Sequence, residues 1–458
     1  MASVFRRYRW KELGLFIIPF TILLLEVTQL FLANEDPKSS LSTQSLPTIH
    51  GLIPVFGLIG VLLAVNILLS VFFPKADQVL LPLVGLLSGI GVLMATRLGP
   101  DLYPFPDPAL GSRQLVWVIL GLVVCIVTLF ALRNMNWLER YKYTWAFLGI
   151  VLVGITVARS FRVNLDSPTH DQLNIGPFNL QPSELLKIFI VIFFAAYLSE
   201  NRDILAGGSL RRLRLPPLRQ LGPIFTMLGI ALVLFLGVRE LGLALLIYGL
   251  FLAMIYLGSG KFSYVIGGLL LFAALGFIGY ALFGYVRARF AAIGIDAVNW
   301  QNWSDATTKF AEGAGFQIVQ GLIALSSGGL IGAGLGLGHP TYVPVIQSDM
   351  VFTALGEELG LAGLFAILAL YLLIIYRGYR IAIEASDSFN QLLAAGLTSI
   401  FAIQSIIIIA GNMKVLPLTG IPLPFLSYGG SSVIANYIII GILLRISHNT
   451  AREREGLA

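Results

Sequence analysis

The run S-D-M-V-F-T-A-L-G-E-E-L-G-L-A-G-L-F-A-I-L-A-L-Y-L-L-I-I, residues 348–375, decides how this chain is read. One acid, Asp349, stands before an apolar stretch long enough to cross a bilayer, for which roughly 20 residues suffice. The segment upstream has a different character. It runs W-Q-N-W-S-D-A-T-T-K-F-A-E-G-A-G-F-Q from Trp300 and G-G-L-I-G-A-G-L-G-L-G-H-P from Gly328, glycine-rich and partly polar. Elsewhere the sequence alternates apolar runs of spanning length with short polar breaks. The chain therefore reads as a scaffold that holds one unusual segment, and one acid, at a membrane surface.

Composition sets the class. Hydrophobic residues make up 57% of the chain and charged ones 12%, with a mean hydropathy of +0.85. Soluble domains carry roughly 25% charge. In lipid only helices and closed barrels satisfy every backbone polar group, and a barrel would show alternating strands of about ten residues. The runs here are continuous, so the expected fold is all-α, a polytopic integral membrane protein. The net charge of +6 needs no nucleic-acid partner, because basic residues gathered on one membrane side produce it. Cys125 is the single cysteine and lies inside an apolar run, so it reads as a packing residue.

About twelve helices of spanning length are expected, near 14–33, 51–73, 78–97, 114–132, 141–158, 184–199, 221–238, 240–258, 262–285, 350–375, 388–411 and 428–446. The first has no clear cleavage site after it and reads as a retained signal-anchor. The seventh and eighth meet in a tight turn at Gly237–Gly242. Lys and Arg placement gives the orientation. With the N-terminus in the cytoplasm, the inner side receives Arg6, Arg7, Arg9, Lys11, Arg133, Arg140, Lys142, the group from Arg202 to Arg219, Lys261, Arg377, Arg380 and the basic tail. Both termini are then cytoplasmic and the long loop between the ninth and tenth helices, 286–349, is extracytoplasmic.

The polar residues that could carry chemistry gather at that outer face. Asp349 has two compatible readings: a helix N-cap, or a general base able to take a proton from a substrate hydroxyl. Glu357 is eight residues further on, roughly 12 Å along a helix, wider than a retaining glycosidase pair. Glu357 and Glu358 are accordingly assigned to hydrogen bonding and packing. Glu184 and Lys187 are three apart and share a helix face. They form either an ion pair or a polar floor, with Lys187 facing a phosphate or Glu184 a metal; charges inside a membrane favour function. Arg239 and Glu240 form a similar pair, read as structural. Gln317 and Gln320 can bond sugar hydroxyls or neighbouring helices. The glycine run at 328–338 lacks a following Lys-Ser/Thr and is no phosphate loop. Histidines 50, 170, 339 and 448 show no metal-ligand spacing.

Four motifs occur together: Q-P-S-E-L-L-K at 181–187, F-Q-I-V-Q-G-L-I-A-L-S-S-G-G-L-I-G-A-G-L-G at 316–336, S-D-M-V-F-T-A-L-G-E-E-L-G at 348–360, and P-L-T-G-I-P-L-P-F-L-S-Y-G-G-S-S at 417–432. In that order they resemble the SEDS family (shape, elongation, division and sporulation), which includes RodA and FtsW. The resemblance covers about residues 78–446. It implies a ten-helix core, here preceded by an extension at 1–77 with two extra helices and followed by a cytoplasmic tail at 447–458.

The resemblance also implies a peptidoglycan glycosyltransferase in the bacterial cytoplasmic membrane, polymerising lipid II for elongation or division with a class B penicillin-binding protein as partner. Asp349 matches the family's key catalytic acid. Glu184, Lys187, Gln317, Gln320, Ser427 and Ser431 are then expected to bind substrate. A divalent cation (Mg or Mn) at Glu184 could assist Lys187 in offsetting charge on the departing pyrophosphate. The expected transfer is inverting and releases undecaprenyl pyrophosphate. Departures from the family pattern are Gln172-Leu173-Asn174, Arg239-Glu240-Leu241-Gly242 and Met350. Two other readings stand beside it: a flippase for lipid-linked precursor, and a noncatalytic scaffold that recruits the transpeptidase.

Overall fold

The computed structural model describes residues 9–33, 49–102, 105–163, 173–175, 178–202, 222–223, 225–230, 232–233, 240–296 and 300–456. The helices, in chain order, are α1 (Trp10–Ala33), α2 (Ile49–Phe72), α3 (Leu80–Leu98), α4 (Leu110–Ala131), the short α5 (Asn136–Arg140), α6 (Lys142–Val163), α7 (Pro182–Glu200), α8 (Leu241–Ser259) and α9 (Phe262–Leu282). There follow α10 (Gly284–Ile293), α11 (Asp305–Glu312), α12 (Phe316–Gly328), α13 (Val351–Glu384), α14 (Ser388–Asn412) and α15 (Gly430–Arg454). Two three-residue strands, β1 (Leu173–Ile175) and β2 (Phe178–Leu180), pair antiparallel. Apart from that hairpin the regular structure among the described residues is helical.

Among the described residues, 10 helices are long and apolar enough to cross a membrane. Of the other two expected spans, α6 is present but is apolar over Lys142–Ala158 alone. The second, 221–238, falls largely outside the described residues, as does most of the turn at 237–242. Two expectations gain detail. The stretch 286–349 contains most of α10 and all of α11 and α12, and α12 is itself apolar. The helix expected at 350–375 extends to Glu384, making 34 residues, which as one straight helix would be about 51 Å at 1.5 Å per residue, well beyond a hydrocarbon core of about 30 Å.

That length is accommodated by a break. Gly360 sits at φ 66°, ψ −171° in the middle of α13, a conformation open to glycine and costly for other residues. The glycine loop after α12 supplies what the break removes. Ala333 N and Gly334 N donate to Glu357 O and Glu358 O, and Leu361 N and Ala362 N donate to Gly329 O and Leu330 O. Four backbone groups that a broken membrane helix would leave unpaired are thereby bonded within the protein. The approach is close enough that a Cβ on Gly360 would lie 2.3 Å from Gly332 N, and one on Gly328 2.0 Å from Gly356 O.

The chain divides into two compact units. The first comprises Met1–Ile126, Phe290–Ile374 and Ile408–Tyr437. In it α3 is buried along most of its length, and its glycines admit neighbours on several sides. Leu62 packs over Gly85 and Leu23 over Gly89, where added Cβ atoms would come within 2.9 and 2.5 Å. Gly91 meets the carbonyls of Phe425 and Leu426 at 2.7 and 2.8 Å. Small residues give membrane helices this proximity, because apolar side chains gain little from leaving lipid. The second unit comprises Val127–Arg289, Ile375–Ile407 and Ile438–Ala458. There α7 is the central helix, with Leu186 over Gly149, Leu198 over Gly258 and Val191 over Gly396.

Candidate functional site

Asp349 lies just before α13 and is 9% exposed. Its Oδ1 accepts hydrogen bonds from Gln317 Nε2 at 3.2 Å and from Ser348 Oγ at 3.2 Å. Gln317 is on the first turn of α12, and the same amide nitrogen donates to Pro344 O at 3.2 Å. Asn412, the last residue of α14, donates from Nδ2 to Asp349 O at 2.9 Å. Side chain and backbone of this acid are thus held from two separate helices. Helix α13 draws its first amides, Thr353 N and Ala354 N, to Met350 O, so Met350 occupies the cap position and Asp349 immediately precedes it.

The segment 338–350 that carries Asp349 is tied down along its length. Arg97, at the end of α3, donates from Nε to Glu358 Oε1 at 3.1 Å, from Nη1 to Asp101 Oδ2 at 2.5 Å, and from Nη2 to Gly338 O at 2.9 Å. Glu357 Oε1 accepts from His339 N at 2.7 Å. Further on, Tyr428 N donates to Gln347 O at 2.8 Å, joining this segment to the motif at 417–432. Val345 adopts φ 54°, a genuine outlier for a β-branched residue. The Ser348 amide donates to the Val345 carbonyl at 3.1 Å, and the Ser348 hydroxyl shares its one proton between that carbonyl at 3.1 Å and Asp349 Oδ1 at 3.2 Å. The two glutamates of G-E-E-L-G therefore do what their spacing implied: they orient backbone and hold Arg97.

The other expected substrate residues fall into three groups. Gln320 lies one turn beyond Gln317 on α12, half-buried, so the two share a helix face. Ser427 is buried; its Oγ accepts from Leu423 N at 2.7 Å and its carbonyl accepts from Gln114 Nε2 at 3.2 Å. Ser431 is half-buried at the start of α15. All of these belong to the first unit with Asp349.

Glu184 and Lys187 belong to the second unit, on the first two turns of α7. Lys187 is fully buried, and its Nζ donates to Glu184 Oε2 at 2.7 Å and to Gln404 Oε1 at 2.9 Å. A divalent cation seeks six or more oxygen ligands. No group of three His, Cys, Asp or Glu residues that could hold a metal occurs among the described residues, and Glu184 already holds an ammonium. These residues do not fit a cation site, and the mechanism below uses none. Glu240, half of the expected pair at 239–240, precedes α8; Arg239 is outside the described residues.

Sequence reasoning missed Arg97 and Asn412. Each had a signal: Arg97 is a cation at the end of an apolar run on the side poor in basic residues, and Asn412 is an amide closing another.

A family model described as cell cycle protein, FtsW/RodA/SpoVE, matches residues 78–452. The chain is 38% identical to the peptidoglycan glycosyltransferase RodA of Mycobacterium tuberculosis (strain ATCC 25618 / H37Rv) over 386 residues, 83% of this chain and 80% of that one. It is 32% identical to the stage V sporulation protein E of Bacillus subtilis (strain 168) over 385 residues, 81% and 96% of the two chains. Its fold is like that of a chain solved in a peptidoglycan synthase complex that coordinates polymerization and crosslinking, with a TM-score of 0.62, 21% identity, and coverage of 82% of this chain and 98% of that chain. With its four motifs in order and a match over most of its length, this chain belongs to the FtsW/RodA/SpoVE family, the SEDS proteins.

Proposed function

We propose that this protein polymerises lipid II into glycan strands at the outer face of the bacterial cytoplasmic membrane. The activity class is that of its relatives, peptidoglycan glycosyl transfer. The observation that carries the residue assignment is the mounting of Asp349: a largely buried carboxylate, gripped from two helices, on a segment anchored by Arg97 and Glu357. A base held this way keeps its geometry when a substrate hydroxyl arrives, which is what general-base catalysis requires.

In the proposed step Asp349 takes the proton from the 4-hydroxyl of the acceptor sugar. That oxygen attacks the anomeric carbon of the donor from the face opposite the leaving group. The bond from this carbon to the pyrophosphate oxygen breaks, its electron pair leaves with undecaprenyl pyrophosphate, and configuration inverts. The leaving group departs as a stabilised anion, so no second acid is needed. Gln317 orients the base, and Gln320 and Ser431 are proposed sugar contacts. Ser427, whose oxygen already accepts from Leu423 N, retains its hydroxyl proton and one lone pair for a substrate contact. Lys187, whose ammonium retains one N–H beyond those given to Glu184 and Gln404, is proposed to bind phosphate.

The basic-residue asymmetry supports cytoplasmic termini and an outer Asp349. The likeness to a chain from a synthase complex supports a crosslinking partner of the class B penicillin-binding type. The test is polymerisation of lipid II by the purified protein, with and without that partner. Wild type should make strands and Asp349→Asn should make none. Strand synthesis by Asp349→Asn at the wild-type rate would refute the assignment. Failure of wild type to polymerise, with lipid II crossing proteoliposome membranes, would establish the flippase instead.

A further inference from the structure

Helices α1 and α2 lie before the span matched by the family model, and the mechanism gives them no task. Together with the core of the first unit, α1 encloses a groove of about 710 Å³, within the range of sites that hold small organic ligands, roughly 300–1,000 Å³. One end is apolar, lined by Ile18, Ile22, Leu86, Ile90, Ile367 and Leu370. The other end contains Glu26, Gln29 and Glu358 beside the glycine loop 331–337. From Ile18 to Gln29 along α1 is about 16–17 Å at 1.5 Å per residue. This is close to half of a hydrocarbon core of about 30 Å. The groove is as deep as one leaflet, too short for a spanning helix and suited to a single hydrocarbon chain.

Its polar end has a definite chemistry. Glu358 is 1% exposed; its Oε1 accepts from Arg97, while Oε2 is buried without a donor in hydrogen-bonding geometry, although the Gly336 amide lies towards the carboxylate. Glu26 has no hydrogen bond or ion pair among the described residues, and an acid inside a membrane is costly without one. Arg97 cannot serve an incoming anion, since its three nitrogens are given to Glu358, Asp101 and Gly338. Two carboxylates short of donors repel a phosphoglycerol or pyrophosphate head and attract an ammonium that carries N–H groups.

We propose that this groove holds a bilayer aminolipid of the phosphatidylethanolamine type, one of its two acyl chains along α1 and α13, the other in the surrounding bilayer, and its ammonium donating to Glu26 and to Glu358 Oε2. Helix α1 then forms one wall of a lipid site that abuts the glycine loop: a Cβ on Gly334 would lie 3.5 Å from Gln29 Nε2.

Native mass spectrometry of the delipidated full-length protein tests this without lipid II, and so stands apart from the proposed activity. The protein is offered phosphatidylethanolamine, phosphatidylcholine, phosphatidylglycerol or undecaprenyl pyrophosphate, all with matched chains where they have them. Phosphatidylethanolamine should be retained about tenfold better than the others, phosphatidylcholine having the charge but no N–H. Glu26→Gln should lower its retention about tenfold. Ile22→Trp, which fills the groove, should abolish retention while leaving the thermal unfolding midpoint within error of wild type. Ile18→Phe repeats the groove-filling test should Ile22→Trp unfold. Equal retention of phosphatidylglycerol, phosphatidylcholine or the prenyl pyrophosphate overturns the proposal. So does undiminished retention of phosphatidylethanolamine in folded Glu26→Gln or groove-filled protein.

Discussion

Gln317 Nε2 stands 3.2 Å from Asp349 Oδ1 and 3.2 Å from Pro344 O, so a single amide fixes both the acid and the backbone five residues before it. A hydrogen bond to a charged group contributes about 1.5–3 kcal/mol, or one to two decades in rate where it acts on the base. Gln317→Leu is expected to slow polymerisation about tenfold or more at saturating lipid II, with the protein's thermal midpoint little changed. Gln317→Glu places a second carboxylate against Asp349 and should be slower still. Rates equal to wild type in Gln317→Leu would mean that Asp349 needs no orienting partner.

Gly360 and the glycine loop make a second prediction. Alanine at Gly360 would combine a backbone region open essentially to glycine alone, which costs an L-residue about 1–3 kcal/mol, with a Cβ 2.3 Å from Gly332 N. Gly360→Ala is expected to lower the thermal midpoint and the folded yield sharply. Gly14→Ala supplies the control. Gly14 lies in α1 with nothing within 4 Å of an added Cβ, and a helical glycine replaced by alanine gains about 0.5–1 kcal/mol. Equal midpoints for the two variants would rule out a tight junction at the break.

What could be read from the sequence was the level at which composition speaks. Continuous apolar runs fixed the helices, and a lone acid before one of them marked Asp349. The break in α13 was invisible because G-L-A-G inside an apolar run looks like ordinary small-residue packing. Gly360 reveals its role only once residues 329–334 bond to both sides of it. The same limit hid Arg97, whose three acceptors come from α3's own end, from α13 and from Gly338. Arg9 differs in another way. In sequence it is one of four basic residues ahead of the apolar run that starts near Leu13, counted towards the cytoplasmic charge; folded, it is fully buried. Charge counting assumes solvated cations, and this one is not.

Arg97 and Glu358 are exposed 9% and 0% at their side chains, so Arg97 compensates Glu358 for leaving water, while Arg97 itself also pairs with Asp101. Removing one partner of a buried pair costs about 3–5 kcal/mol, because the remaining charge is stranded. Arg97→Leu should destabilise the protein by about that much, and Glu358→Leu by less, because Arg97 keeps Asp101. The double variant should lose clearly less than the sum. Denaturation midpoints of the four proteins in detergent give the coupling directly. Strict additivity would show that the two side chains act independently.

The N-terminal helices are held by Arg9. Its Nε and Nη2 donate to Glu12 Oε2 and Oε1 at 2.6 and 3.0 Å, Nη1 donates to Phe73 O and Ala76 O at 3.1 and 2.8 Å, and Nη2 also reaches Asp77 O at 2.5 Å. Those five bonds use the five donors of the guanidinium and satisfy carbonyls just past the end of α2, which no helix partner can reach. Asn66 completes Glu12 at 2.6 Å, and Asp77 Oδ1 caps α3 through Val79 N and Leu80 N at 2.8 and 3.0 Å. Lysine offers three donors from a single point and cannot reproduce this fork. Arg9→Lys is therefore expected to cost about 1–3 kcal/mol, and Arg9→Ala more, since Glu12 is then left buried without its cation. Hydrogen exchange should locate the damage: amides of residues 76–80 exchange faster in both variants, while those of 353–357 at the start of α13 keep their protection. Unchanged exchange at 76–80 in Arg9→Ala would mean that the α2–α3 connection is held by packing of Leu23 and Leu62 on α3 alone.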